Sequence, residues 1–275
     1  MIERNLSVAH LPSGIGRVPV AASGEARRSG FIGFVRNRPM VACLLFVGMA
    51  SALFLVLPGL DILASDLFHR ARGGFWLRRN AALSVFRSTN DALIALTVVA
   101  LLASLAIKLA RPEKPSPIRP NAIVFLLSTA VVGPLLLVNV ILKNGWGRPR
   151  PIEVDVFGGD APYVEVWRIT DWCDRNCSFV SGEASSATWL IAVALVLPKR
   201  IRVPAIVAAA IYAGLLSLNR VAFGGHFLSD VLISVGITLL VVAVMRWIVI
   251  ERPPPWISNE ALEEGLTRFG RRLRR

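Results

Sequence analysis

Six stretches of this chain, residues 39–60, 92–107, 121–142, 184–198, 203–218 and 231–245, contain no charged side chain. A helix crossing the hydrocarbon core of a bilayer needs roughly 20 mostly apolar residues at 1.5 Å each. The first and third stretches meet that length outright. The others run 15 or 16 residues and reach it with flanks such as Lys108, Arg202 or Arg246, whose long side chains can snorkel to the interface. Six buried helices in a soluble protein would need a polar cover, and a chain of 275 residues that is 54% hydrophobic leaves too little for one. The expected fold is all-α: a polytopic membrane protein with six transmembrane helices over 39–250, between basic tails at 1–38 and 251–275.

Charge orients those helices. With six crossings, segments 1–38, 108–119, 199–202 and 246–275 share one side and carry 20 Lys/Arg against 7 Asp/Glu. The opposite side, made of 61–91, 143–183 and 219–230, carries 11 of each. Lys/Arg excess in short loops marks the cytoplasmic side, so both termini are expected inside. The net charge of +13 would otherwise raise nucleic acid as a partner. Topology and attraction to anionic lipid account for it, and no nucleic-acid partner is expected. Residues 1–38 contain no apolar core of the kind a cleaved signal peptide needs, so the first span is expected to act as an uncleaved anchor and the tail to be disordered or to lie on the membrane.

The connections carry further signals. Arg70, Arg72, Arg78 and Arg79 mixed with Phe68, Phe75, Trp76 and Phe86 predict an interfacial amphipathic segment within 61–91. The longest loop, 143–183, is punctuated by Gly and Pro and long enough to be functional. Cys173 and Cys177 lie in it on the outer side, where an oxidising compartment would let them pair, although the short spacer demands a tight turn. No His or further Cys stands near them to complete a metal site. A short helix capped near Ser258 is expected in the C-terminal tail.

Three polar clusters sit at ends of spans on the outer side: Lys143 to Pro151, Ser178 to Ser185, and Asn219 to Asp230. Lys143, Arg150 and Arg220 are cations, and arginine can grip a phosphate bidentately. Ser181 offers a hydroxyl, and Gly182 offers a backbone N–H where a helix dipole favours an anion. His226 and Asp230 are four apart, which on a helix places them on one face, and a carboxylate behind a histidine fixes its tautomer. Singly, most of these residues read as interface anchors or helix starts. Converging on one membrane face, they form a cation-rich cradle for a phosphoryl group beside an oriented imidazole. Of the other histidines, His10 lies in the tail and His69 in a linker loop.

These clusters resemble the signatures of the type-2 phosphatidic acid phosphatases, the lipid phosphate phosphatases. Lys143, six residues, then Arg150-Pro151 looks like the first. Ser181-Gly182 looks like the centre of the second, Pro-Ser-Gly-His, and Arg220, five residues, His226, three residues, Asp230 fits the third. The resemblance implies a six-span helical bundle and a reaction needing no metal or other cofactor, through a phosphohistidine at His226. It assigns Asp230 to orienting that histidine, and Lys143, Arg150, Ser181, Gly182 and Arg220 to the phosphate.

The pattern breaks at Val180, where the family has Pro, at Glu183, where it has the His that protonates the departing oxygen, and at Asn219, where it has Ser. Three readings of Glu183 follow: it is itself the general acid; it is structural, pairing with an arginine, while water or His69 protonates the leaving group; or the substrate leaves without acid help, as a diphosphate would. The expected partners are the bilayer and a lipid-linked phosphate on the outer, periplasmic face of a bacterial inner membrane. Candidates are lipid A, undecaprenyl diphosphate, phosphatidylglycerol phosphate and phosphatidate. The flanking Arg78 and Arg79 suit a bulky, multiply charged glycolipid such as lipid A. A lipid phosphotransferase using the same histidine and a non-catalytic lipid-phosphate binder remain alternatives, and a transporter is disfavoured because no span interior carries an unexplained charge.

Overall fold

The computed structural model describes residues 30–274. The expectations for most of the N-terminal tail, including His10, lie outside the described residues; a helix, α1 (Phe31–Asn37), occupies its last part. It is followed by α2 (Pro39–Val56), α3 (Gly59–Asp66), a two-stranded antiparallel hairpin of β1 (His69–Arg70) and β2 (Gly74–Phe75), and α4 (Ala81–Ala110). Then come α5 (Pro120–Gly145), α6 (Gly182–Val196), α7 (Lys199–Ala222), α8 (Leu228–Glu251) and a C-terminal helix, α9 (Asn259–Arg272).

Five helices, α2, α4, α5, α7 and α8, are long and apolar enough to cross a membrane. The remaining apolar stretch forms α6, a shorter helix of 15 residues that spans about 22 Å at 1.5 Å per residue. Its surroundings explain how it differs from a lipid-facing span. It packs on α5, α7 and α8, and Ala184, Ala187, Ala192 and Ala194 along it are buried. Small side chains let helix backbones approach closely where lipid gives no hydrophobic drive to associate. The outer helices show the opposite pattern, with Leu45, Met49, Leu96, Val99, Val207 and Ile211 exposed.

Several polar side chains inside the bundle find partners on neighbouring helices, as a low-dielectric surrounding favours. Ser185 and Thr238 share a hydrogen bond of 2.7 Å between α6 and α8, and the Trp189 indole donates to Thr129 on α5 at 3.0 Å. Over Val131–Leu142, α5 widens into π-helix around Pro134, which has no N–H to give the ladder. There the Asn139 amide donates to the Pro134 carbonyl at 2.7 Å.

Two boundaries differ from the sequence reading. The interfacial segment ends early, because the Asn80 side chain caps α4 through Leu83 N at 3.1 Å and helix runs through Arg87. Lys108, expected to snorkel, is buried: its ammonium donates to the carbonyls of Pro112 and Lys114 at 2.9 and 3.0 Å and pairs with Glu263 of α9 at 2.6 Å. The helix capped by Ser258 thus docks on the basic side, with Arg271 joined to Glu113 as a second tie.

Candidate active site

Successive helices from α5 to α8 alternate in direction, so the end of α5, the start of α6, the end of α7 and the start of α8 meet at one end of the bundle. That meeting brings the sequence-predicted residues together. Lys143 closes α5, Ser181 and Gly182 open α6, Arg220 lies in the last turn of α7, His226 sits in the α7–α8 turn, and Asp230 lies in the first turn of α8. Arg150 arrives on the long loop, its guanidinium donating to the Asn176 carbonyl at 2.5 Å. Asn176 belongs to a turn closed by a disulfide between Cys173 and Cys177.

Local sequence makes these approaches possible. Ser181 caps α6 by accepting from Ala184 N at 3.3 Å. A Cβ at Gly182 would stand 2.5 Å from Asn139 Oδ1, so glycine lets the start of α6 sit against α5 without displacing the Asn139 side chain. At Gly225 a Cβ would fall 2.3 Å from Arg220 Nη2. The glycine turn before His226 is therefore moulded around the arginine that ends α7.

His226 is almost wholly buried, and its Nδ1 lies 2.7 Å from the Ser178 carbonyl oxygen. A carbonyl only accepts, so Nδ1 carries the hydrogen and Nε2 is left with its lone pair. Burial, then the charges of Arg220, Lys143 and Arg150, hold the imidazole in its neutral form, its pKa well below the ordinary histidine range. A neutral imidazole with Nε2 unprotonated is a nucleophile, and the cations beside it are what a phosphoryl group requires.

Asp230 does not hold His226 in the way its spacing predicts. Since α8 begins at Leu228, the histidine precedes the helix, and the closest carboxylate oxygen stands 4.0 Å from Nδ1. Instead Asp230 accepts from the Ser178 hydroxyl at 2.5 Å and from Phe227 N at 2.9 Å. It grips the residue whose carbonyl fixes the imidazole and caps the helix that follows. Its influence on His226 runs through Ser178.

Behind Asp230 lies a set of residues to which the sequence reading gave no role. Arg148 has no exposed surface and donates to Asp230 at 2.6 Å, Asp61 at 2.8 Å, Ser229 Oγ at 2.9 Å and the Val164 carbonyl at 2.9 Å. Asp61, from α3, also accepts from Ser229 N at 2.8 Å and Ser229 Oγ at 2.6 Å. Burial lowers the pKa of the Arg148 guanidinium, but Asp230 and Asp61 outweigh it and the net shift is upward. One signal was available: Arg148 lies within the first cluster, two residues before Arg150.

Glu183 faces two arginines. One oxygen accepts from Arg87 of α4 at 2.8 and 2.6 Å, and the other meets the guanidinium of Arg220. With both oxygens turned to guanidinium donors, neither is disposed to carry a proton to a leaving group, and the geometry favours the structural reading. His69 packs against the rings of Phe75 and Phe157, centroids 5.4 and 5.0 Å away. Glu183→Gln should then leave the shape of the pH–rate profile unchanged and cost less than the ~10²–10⁴-fold that loss of a general acid brings. Steady-state rates across pH check this, and loss of one limb of the profile would restore the acid role.

A cavity of about 310 Å³ opens beside this group, lined by Arg78, Ser84, Arg87, Arg150, Arg220 and Gly225 among others. It gives an approach along the rim of the bundle to the turn that carries His226.

The family model of the PAP2 superfamily matches residues 121–254, which include all three clusters. A lipid A 4'-phosphatase of Rhizobium leguminosarum is 35% identical over 207 residues, covering 70% of this chain and 89% of that protein. A lipid A 4'-phosphatase of Rhizobium etli is 45% identical over 119 residues, 43% of this chain and 46% of its own length. The chain thus spans most of the first relative and under half of the second. A PAP2-type phosphatidylglycerolphosphate phosphatase from Bacillus subtilis covers 75% of this chain and 94% of its own, at 18% identity and a TM-score of 0.48.

Proposed function

Because this chain belongs to the PAP2 superfamily of membrane phosphatases, we propose that it hydrolyses a phosphate monoester of lipid A through a phosphohistidine at His226, without a metal ion. The observation that carries the reading is the neutral, Nδ1-anchored imidazole beside Arg220, Lys143 and Arg150. Nε2 attacks phosphorus as the bond to the sugar oxygen breaks, and the departing oxygen takes a proton from water. A second water then attacks phosphorus as the phosphorus–nitrogen bond breaks, its proton neutralising the hydroxide left by the first, which releases inorganic phosphate and restores the imidazole. Lys143, Arg150 and Arg220, with the N-terminal end of α6 at Ser181 and Gly182, hold the equatorial oxygens as charge builds on them.

The substrate class is supported by the names of the relatives and by the arginine-lined cavity, which matches a large anionic headgroup at the bilayer rim. The excess of Lys and Arg on the other side supports a cytoplasmic location for both termini and a periplasmic one for His226, in a bacterial inner membrane.

The test is direct. Purified protein in chelator is incubated with ³²P-labelled lipid A and, in parallel, with phosphatidate and an isoprenyl diphosphate. Phosphate release from lipid A above the others is expected, with an alkali-stable, acid-labile label on the protein during turnover. No release from any of the lipids, or release only after a divalent metal is added, would overturn the proposal.

A further inference from the structure

The opposite end of the bundle from His226 holds a crevice of about 580 Å³ between the start of α2, the end of α6 and the end of α8. Its walls are apolar, with Val41 from α2, Ile191 and Leu195 from α6, and Leu239 and Val242 from α8. Its mouth is cationic. Arg36 and Arg38, both exposed, flank it from the α1–α2 junction, and Arg246 joins them from α8. Arg246 pairs with Glu251 at 3.0 Å, while the ion pairs among the described residues include neither Arg36 nor Arg38. Three guanidiniums against one carboxylate leave the mouth positive by two.

An apolar slot crowned by positive charge, at the end of the spans where Lys and Arg are concentrated, has the chemistry of a bilayer phospholipid with an anionic headgroup. We infer that this crevice binds such a lipid, its phosphate between Arg36, Arg38 and Arg246 and an acyl chain along the wall formed by α6 and α8. A zwitterionic lipid would bring no net charge to match the mouth. The chain's own residues 1–29 are a poor occupant, because their four arginines against two glutamates repeat the sign of the mouth. A second, smaller cleft shares Leu195 and Arg246 with the first and adds Arg119 and Arg202, extending the positive rim around the bundle. The site is separate from the phosphatase chemistry, and the inference does not depend on what His226 does.

The experiment compares the full-length protein with the Arg36→Gln/Arg38→Gln double variant, both in neutral detergent. Phosphatidylglycerol and phosphatidylcholine are titrated separately, and retained lipid is counted by native mass spectrometry while the unfolding midpoint is followed. Cations near His226 also attract anions, so the difference between the two proteins is what reports on the crevice. The unsubstituted protein should retain phosphatidylglycerol in preference to phosphatidylcholine and melt at a higher temperature with it. The double variant should bind phosphatidylglycerol roughly tenfold or more weakly, since each basic residue near a charged headgroup contributes about a factor of several. Both changed residues are exposed, so the variant's midpoint without added lipid should match. Equal retention of the two lipids, equal retention of phosphatidylglycerol by both proteins, or no response to either lipid would overturn the inference.

Discussion

Arg148→Met is expected to lower the thermal unfolding midpoint by roughly 6–20 °C, the largest stability loss of any single substitution at this end of the bundle. The guanidinium is fully buried, and its donors are spent on two carboxylates, a hydroxyl and a carbonyl. Methionine fills similar space and supplies no donor. Asp61 and Asp230, each without exposed surface, would then share a dry site with nothing between them. Breaking a buried pair by removing one partner costs about 3–5 kcal/mol, because the other charge is left uncompensated. Here two would be stranded. Lysine is no substitute, since a single ammonium cannot reach Asp61, Asp230 and Val164 from one position as a planar fork does. Adding Asp61→Asn to Arg148→Met removes one of the opposed charges and should recover part of the midpoint. A single variant that melts with the unsubstituted protein, or a double variant that melts lower still, would show that the network carries no such burden.

This network also marks the limit of what the sequence discloses. Lys143, Ser181, Gly182, Arg220 and His226 each stand at the end of an apolar stretch, so alternating span direction alone suffices to send them to one side. Their meeting is a consequence of topology, and topology is written in hydropathy. The contacts of Arg148 have no such guide. Asp61 is 87 residues away, and Asp61 and Ser229 are separated by 168. For Glu183 the sequence offers pairing with an arginine as one reading, but nothing in it points to Arg87, 96 residues away. Only the packing of α3, α4 and α8 brings these charges face to face. Asp230 shows a subtler limit. Four-residue spacing predicts a shared helix face, and that rule fails when the helix begins between the two residues, as α8 does at Leu228. The 15 residues of α6 match the length of the uncharged stretch, but hydropathy records only that a stretch avoids water, whether its neighbours are lipid tails or other helices.

Substituting His226 by Asn should abolish phosphate release by about 10⁴-fold or more while leaving the bundle folded. Asparagine is chosen because its amide nitrogen falls near the position of Nδ1 and can still donate to the Ser178 carbonyl, which accepts at 2.7 Å in the native protein. The anchoring hydrogen bond is kept and Nε2 is lost. An alanine would remove both and confuse nucleophile with scaffold. Loss of the attacking group in enzymes that form covalent intermediates costs about 10⁴–10⁶ in kcat, with a residue of activity left by the charge-stabilising groups. The neighbouring cations are untouched, so lipid binding should persist and the deficit should fall on kcat rather than KM. The same imidazole sets a second expectation for the native enzyme. Burial and three nearby cations depress its pKa, so Nε2 stays available as pH falls from 7 through 6.5, where an ordinary histidine would be half protonated. The acidic limb that His226 contributes to kcat/KM should therefore lie below 6.5. Rates on lipid A between pH 4.5 and about 8, paired with ³²P labelling of both proteins under an alkaline quench, measure both points. An Asn variant that keeps its activity within tenfold, or that still takes up acid-labile label, would remove His226 from the chemistry and leave the surrounding cations as a binding site alone.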